Sequence, residues 1–219
     1  MKILITGTSK GIGKATAIKF LKEGFEVFGI DILDASIDDP NYHHYKADIS
    51  KKSELPTISG LNYVFANAGK QNSGDDINNN LVGTINTIEK YGFDKDVKAM
   101  LINASASARS GQEFPEYVAS KSGLIGYMKN VAIRVAPQGV LCNSISLGGV
   151  LTESNKPVTD DPKLWKEVME VTPLKKWMNE DEVAEWVYFL LIKNKSMSGQ
   201  DLLIDNGEQD LNSTFVWPK

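Results

Sequence analysis

Apolar residues fall into two rhythms along the chain. Short apolar runs at 2–6, 25–30, 42–47, 62–66, 98–103, 140–145 and 201–204 read as strands. Between them, at 14–23, 75–91, 116–135 and 181–192, apolar positions recur three or four apart and read as helices. Ala15, Ala17, Ile18 and Leu21 mark the first helix, which stops at Gly24. Ile77, Leu81, Thr84, Ile85 and Ile88 mark the second. Strand followed by helix, repeated, predicts βαβ units and a parallel sheet: an α/β, doubly wound fold. Strands buried on both faces need not alternate polar and apolar positions. The stretch 148–180 breaks the rhythm, with Pro157, Pro162 and Pro173 around a short amphipathic segment (Leu164, Trp165, Val168, Met169). An excursion of that length suits a lid over a site.

Composition narrows this picture. At 219 residues, 42% hydrophobic and 24% charged, the chain fits one soluble domain covering 1–219, with 150–180 as its substrate loop or lid. A net charge of -4 argues against a nucleic-acid partner. Cys142, the one cysteine, lies in an apolar run and reads as a small buried hydrophobe. The chain opens on MKILITG, a strand running into a glycine loop, and carries no apolar stretch of membrane-spanning length. A cytoplasmic protein without a membrane partner is the expectation. His43 and His44 sit at a strand end, and nothing there suggests a metal.

TGTSKGIGKAT, residues 6–16, is the first stretch that suggests chemistry. Glycine is costly in a regular element, so Gly7, Gly11 and Gly13 between a strand and a helix imply a sharp turn or a close approach. A helix N-terminus offers free N–H groups and a positive dipole end to a pyrophosphate. The loop thus reads as a dinucleotide cradle, with GxxxGxG spacing. Asp31 ends the second strand, where a carboxylate can bond ribose hydroxyls and repel a 2′-phosphate, favouring NAD. Lys10 in the loop points the other way, toward NADP, and Asp31 weighs more. The second informative stretch is YVASK, residues 117–121. On a helix, positions i and i+4 share a face, so Lys121 lies beside the Tyr117 phenol. A neighbouring ammonium and an oxidised nicotinamide favour the phenolate, making the pair a plausible proton donor and acceptor for a carbonyl.

With these two stretches stand Asp48-Ile49, NAG (67–69), Asn80 in NNNLVGT, INASAS (102–107), CNSISLGGVLT (142–152) and SGQDLLIDNG (198–207). In this order, over nearly the whole chain, they resemble a short-chain dehydrogenase/reductase. The resemblance implies a single Rossmann-like domain of about seven parallel strands and a nicotinamide cofactor. It implies Tyr117 as acid–base group, Lys121 on the nicotinamide ribose, and Asn80 holding a water that links Lys121 to solvent. It places Gly7, Thr8, Ser9, Lys10, Gly11, Ile12 and Gly13 under the phosphates and Asp31 and Ile32 at the adenosine ribose. Asp48 and Ile49 flank the adenine. Asn67, Ala68 and Gly69 form the floor, and Gly148, Val150 and Thr152 the carboxamide side. The family's spacing for its carbonyl-orienting serine lands on Ala104. A one-residue loop deletion would put Ser105 in place, with Ser107 as the alternative.

The chain is short for the family. The interval from Asp48 to Leu61 leaves room for a turn where a helix usually lies, and the interval from Gly69 to Asn80 trims the next helix. Leu147 stands where proline is common. The family's usual contact helices, here about 75–91 and 116–135, imply a homodimer or homotetramer. The leading function is hydride transfer between NAD(H), with NADP(H) as alternative, and a small carbonyl or secondary alcohol. The other reading is a cofactor-binding regulatory or assembly protein without turnover. A nucleotide-sugar epimerase would share the fold but normally needs a larger C-terminal part. Trp165, Met169, Trp177 and Met178 hint at an apolar substrate pocket.

Overall fold

The computed structural model describes residues 1–211. Its strands are β1 (Lys2–Thr6), β2 (Glu26–Asp31), β3 (Tyr42–Lys46), β4 (Tyr63–Ala66), β5 (Ala99–Asn103), β6 (Leu141–Leu147) and β7 (Asp201–Ile204). They form one parallel sheet in the order β3-β2-β1-β4-β5-β6-β7. Strand order reverses between β1 and β4, so a crevice opens beyond their carboxyl ends.

Both faces of the sheet are covered, which is why its strands read as continuous apolar runs. Leu4, Ile30, Val64 and Ile102 point to one side, where they meet Ile88, Leu124, Met128 and Val131. These belong to α2 (Gly83–Tyr91) and to a long helix, Pro115–Val135. Ile3, Ile5, Val27, Phe65 and Leu101 point to the other side, against Phe20 of α1 (Gly11–Lys22) and Val183 and Val187 of the helix Glu180–Tyr188. In chain order the remaining helices are α3 (Ser107–Ser110), α4 (Pro115–Val135), α5 (Lys156–Thr159), α6 (Pro162–Val171) and α7 (Glu180–Tyr188). Cys142 is buried in the first layer.

Two expected helices differ from their periodicity. Residues 75–91 form a π-helical segment, Ile77–Val82, before α2 begins at Gly83. Residues 181–192 likewise end in a π segment, Phe189–Lys193. In the first of these segments the widened turn buries polar Asn80 and leaves Ile77 exposed, and in the second Phe189 is exposed while Leu190 and Leu191 are buried, which apolar spacing does not reveal. The interval after Asp48 holds only the 3₁₀ turn Lys52–Glu54, as its shortness implies. No described helix is long and apolar enough to cross a membrane.

Candidate active site

The crevice is a cleft of about 1080 Å³ over the carboxyl ends of β1, β2, β4, β5 and β6. Its dinucleotide end is shaped by backbone. Gly7 and Gly11 take φ of +79° and +62°, values that favour glycine. A side chain on Gly13 would collide with the Gly7 carbonyl, so the loop can fold onto α1 only with glycine there. Lys10 stands at the N-cap of α1 and makes no side-chain cap bond. The first-turn N–H groups of α1 are therefore not taken by a capping side chain, and are suited to an anion. By contrast, α7 begins with a full capping box between Asn179 and Glu182.

Asp31 is buried at the tip of β2, where Oδ2 accepts the Ser9 N–H and Oδ1 the Leu33 N–H, each at 2.9 Å. Its carboxylate is thus held in one orientation beside the glycine loop. Ile32 and Leu33 follow it as exposed apolar residues on the cleft wall. Asp48 accepts bonds from the Ser50 N–H and hydroxyl at 3.0 and 2.7 Å. Burial pushes its pKa up, but these bonds and Lys51 and Lys70 outweigh that and hold it below the ordinary value. Across the sheet, the Asn67 and Ala68 N–H groups both donate to Thr6 Oγ1, at 3.0 and 2.9 Å, and Asn67 Nδ2 donates to the Thr6 carbonyl. This fixes the Asn67–Gly69 turn against the glycine loop.

Gly7, Lys10, Gly11, Ile12, Asp31, Ile32, Asp48, Ile49, Asn67, Ala68, Gly69, Ser105, Tyr117, Lys121, Gly148, Val150 and Thr152 all line the cleft. Thr152 precedes a 3₁₀ turn without capping it, so its hydroxyl is not spent there. Four expected residues lie behind the wall. Thr8 is fully buried and bonds the Tyr42 hydroxyl at 2.7 Å. Ser9 is buried with a hydroxyl that has no partner among the described residues. Gly13 lies under the loop. Asn80 is fully buried in the π segment, where Oδ1 accepts the Lys70 N–H at 2.7 Å and Nδ2 donates to the Lys70 carbonyl and to Ser120.

Tyr117 lies in the first turn of α4 and Lys121 one turn on, with the ammonium 5.7 Å from the phenol ring centre. Lys121 Nζ donates to the Asn103 carbonyl at 2.8 Å. Full burial lowers its pKa to about 8, against an opposing pull from Asp76. Gly69 packs against both Asn80 and Lys121, whose Oδ1 and Nζ would lie 2.9 and 3.5 Å from a Cβ there. The Tyr117 phenol departs from expectation. Burial raises its pKa to about 12, and Glu113 and Asp76 add to that, while the neighbouring Ser105 hydroxyl pulls the other way. In the protein by itself, desolvation outweighs any help from Lys121. Of the two candidate serines, Ser105 is the one acting on Tyr117; Ser107 bonds to Ser105.

The far end of the cleft was less legible. Gln71, Glu113, Phe114, Trp177 and Glu208 line it, and only Trp177 stands out in the sequence. Gln71 Nε2 donates to Glu113 at 3.0 Å, and the Trp177 indole N–H to Glu208 at 3.1 Å. Trp165 packs edge-on against Trp177, whereas Met178 is buried in the second core layer. No local pattern marks Glu113 or Glu208, because loop packing alone brings them here.

Comparison with known proteins agrees with this geometry. The family model described as enoyl-(acyl carrier protein) reductase matches residues 57–209. The chain is 25% identical to a glucose 1-dehydrogenase of Gluconobacter oxydans, over 94% of this chain and 91% of that protein. It is 31% identical to the short-chain dehydrogenase/reductase cdmF of Talaromyces verruculosus, over 68% of this chain and 70% of that one. Among solved structures, a short-chain dehydrogenase/reductase family oxidoreductase from Burkholderia thailandensis superposes with a TM-score of 0.88. It is 24% identical, over 96% of this chain and 93% of that one.

Proposed function

The chain belongs to the short-chain dehydrogenase/reductase family, and from that premise we propose an oxidoreductase whose cleft joins a nicotinamide dinucleotide to a small carbonyl or secondary-alcohol substrate. The carrying observation is the convergence of Tyr117, Ser105 and Lys121 beside a glycine cradle in one cleft. The non-catalytic reading is not favoured, since a pure binder has no use for a buried proton-handling set.

The residues fit a dinucleotide. Gly7, Lys10, Gly11, Ile12 and the first turn of α1 would hold its phosphates, with Thr8, Ser9 and Gly13 shaping the loop from beneath. Asp31 and Ile32 would take the adenosine ribose, and Asp48 and Ile49 the adenine. Asn67, Ala68, Gly69, Gly148, Val150, Thr152 and Lys121 would surround the nicotinamide end. A bound nicotinamide supplies the hydride for carbonyl reduction or takes it in alcohol oxidation. We favour NAD(H), because the fixed Asp31 carboxylate disfavours a second phosphate. Lys10, the opposing cation, already faces Glu153 at 3.5 Å.

Tyr117 moves the substrate proton in this reading. With its pKa near 12, the phenol stays protonated through neutral pH, the form carbonyl reduction needs. Alcohol oxidation needs the phenolate and so speeds up as pH rises. Ser105 orients the carbonyl and donates to the charge developing on its oxygen. Asn80, bonded to the Lys70 backbone at both its amide atoms, would hold a water that links Lys121 to solvent. The segment 150–180 covers the substrate. A homodimer or homotetramer through α2 and α4 belongs to this reading; Ile133 of α4 is exposed.

The test is loss of reduced-nicotinamide absorbance with NADH and with NADPH, over a panel of ketones, aldehydes, quinones and oxoacyl thioesters. Turnover faster with NADH is expected. Turnover only with NADPH would overturn the role given to Asp31, and no turnover over a broad panel would count against the enzyme reading.

A further inference from the structure

Ser105 and Ser107 are 6% and 2% exposed and face each other just beyond β5. The Ser107 hydroxyl donates to Ser105 Oγ at 2.8 Å, and the Ser107 backbone N–H donates to the same oxygen at 3.2 Å. The peptides on either side of Ser105 are pinned to β6: the Ala104 and Ala106 N–H groups donate to the Ile145 and Leu147 carbonyls, each at 2.9 Å. Arg109 fastens the next turn to Asp201, through Nε to the carboxylate at 3.0 Å and NH2 to the carbonyl at 2.7 Å. Neither serine is thus free to drift.

A serine hydroxyl has one proton and two acceptor lone pairs. Ser107 engages both acceptor positions of Ser105 Oγ. The Ser105 proton is then left only to be donated, and Ser105 and Tyr117 line the same cleft. A carbonyl oxygen can only accept. We propose that Ser107 is a positioning residue that makes Ser105 a committed donor to the substrate's carbonyl oxygen. The inference rests on the oxidoreductase reading above. Because Ser107 also borders the cleft, the competing account is that it bonds substrate directly, in parallel with Ser105.

A double-mutant cycle separates these accounts. Ser105→Ala, Ser107→Ala, the double variant and Ser107→Thr are compared for kcat, KM, cofactor affinity and melting temperature, on the carbonyl substrate the wild type reduces fastest. Ser105→Ala is expected to lower kcat about 100-fold, the scale of one lost oxyanion donor. Ser107→Ala should lower it about 10-fold, the worth of one hydrogen bond, with KM and cofactor affinity within about twofold. The double variant should match Ser105→Ala alone, and Ser107→Thr should recover most of the rate. Multiplying losses in the double variant, or wild-type kcat in Ser107→Ala, overturns the proposal. Crystal structures of wild type and Ser107→Ala give a readout without turnover: Ser105 Oγ should leave its wild-type rotamer, and an unmoved Ser105 overturns the proposal. A wild type inactive on every substrate sinks the oxidoreductase reading, while the crystal comparison still decides the role of Ser107.

Discussion

At the dinucleotide end of the cleft the wall is mostly backbone: Gly7 and Gly11 at positive φ, Gly13 pressed on the Gly7 carbonyl, and the Asn67–Gly69 turn tied to Thr6. At the substrate end it is side chain: Gln71 on Glu113, Trp177 on Glu208, with Phe114 exposed between loops. The first end rests on strand tips in the middle of the sheet. The second is borne by the segments after β4 and β7, the loop before α4 and the excursion after β6. Backbone recognition demands particular residue types, glycine above all, because only they permit the turn or the close approach. Side-chain recognition tolerates many residue types and depends on where a loop comes to rest.

The contrast can be broken at several points. The largest expected effect on stability is at Lys121. Its pKa in the fold is about 8, below the ordinary 10.5, so between these values the unfolded chain holds the extra proton and stability rises with pH. Relative to Lys121→Met, the wild type should gain about 3 kcal/mol from below pH 8 to above pH 10.5, read by denaturant titration at each pH. A flat difference would mean Lys121 is not desolvated.

Gly13→Ala attacks the backbone end. Overpacking of 1–3 kcal/mol should weaken NADH binding by about 10- to 100-fold in calorimetry. Unchanged binding would show that the glycine loop does not shape the cradle. Asp31→Ser should shift the NADH-over-NADPH preference by about tenfold toward NADPH, measured as the ratio of kcat/KM values. At the side-chain end the effects are smaller. Glu113→Gln should change substrate KM by about two- to fivefold and leave the cofactor dissociation constant unchanged. A larger effect on cofactor than on substrate would erase the distinction between the two ends.

The same contrast explains what could be read in advance. The sheet, its order of strands and helices, and the α1 cradle were legible, since apolar periodicity and glycines at a strand–helix junction encode them directly. The pairing of Tyr117 with Lys121 followed from helical spacing. The π segment holding Asn80 was not legible, because the widened turn buries polar Asn80 and leaves Ile77 exposed, against the apolar spacing. Nor was the high Tyr117 pKa, which depends on how deeply the phenol is desolvated rather than on its neighbour one turn away. Glu113 and Glu208 lie far apart in sequence and meet the cleft only through loop packing.

The account turns on one residue that should matter for proton transfer and not for dinucleotide binding. In Tyr117→Phe, NADH should bind within about twofold of wild type while kcat falls roughly 10³-fold, the scale of a lost general acid. Wild-type turnover in that variant would contradict the account, because the proton would then move without Tyr117.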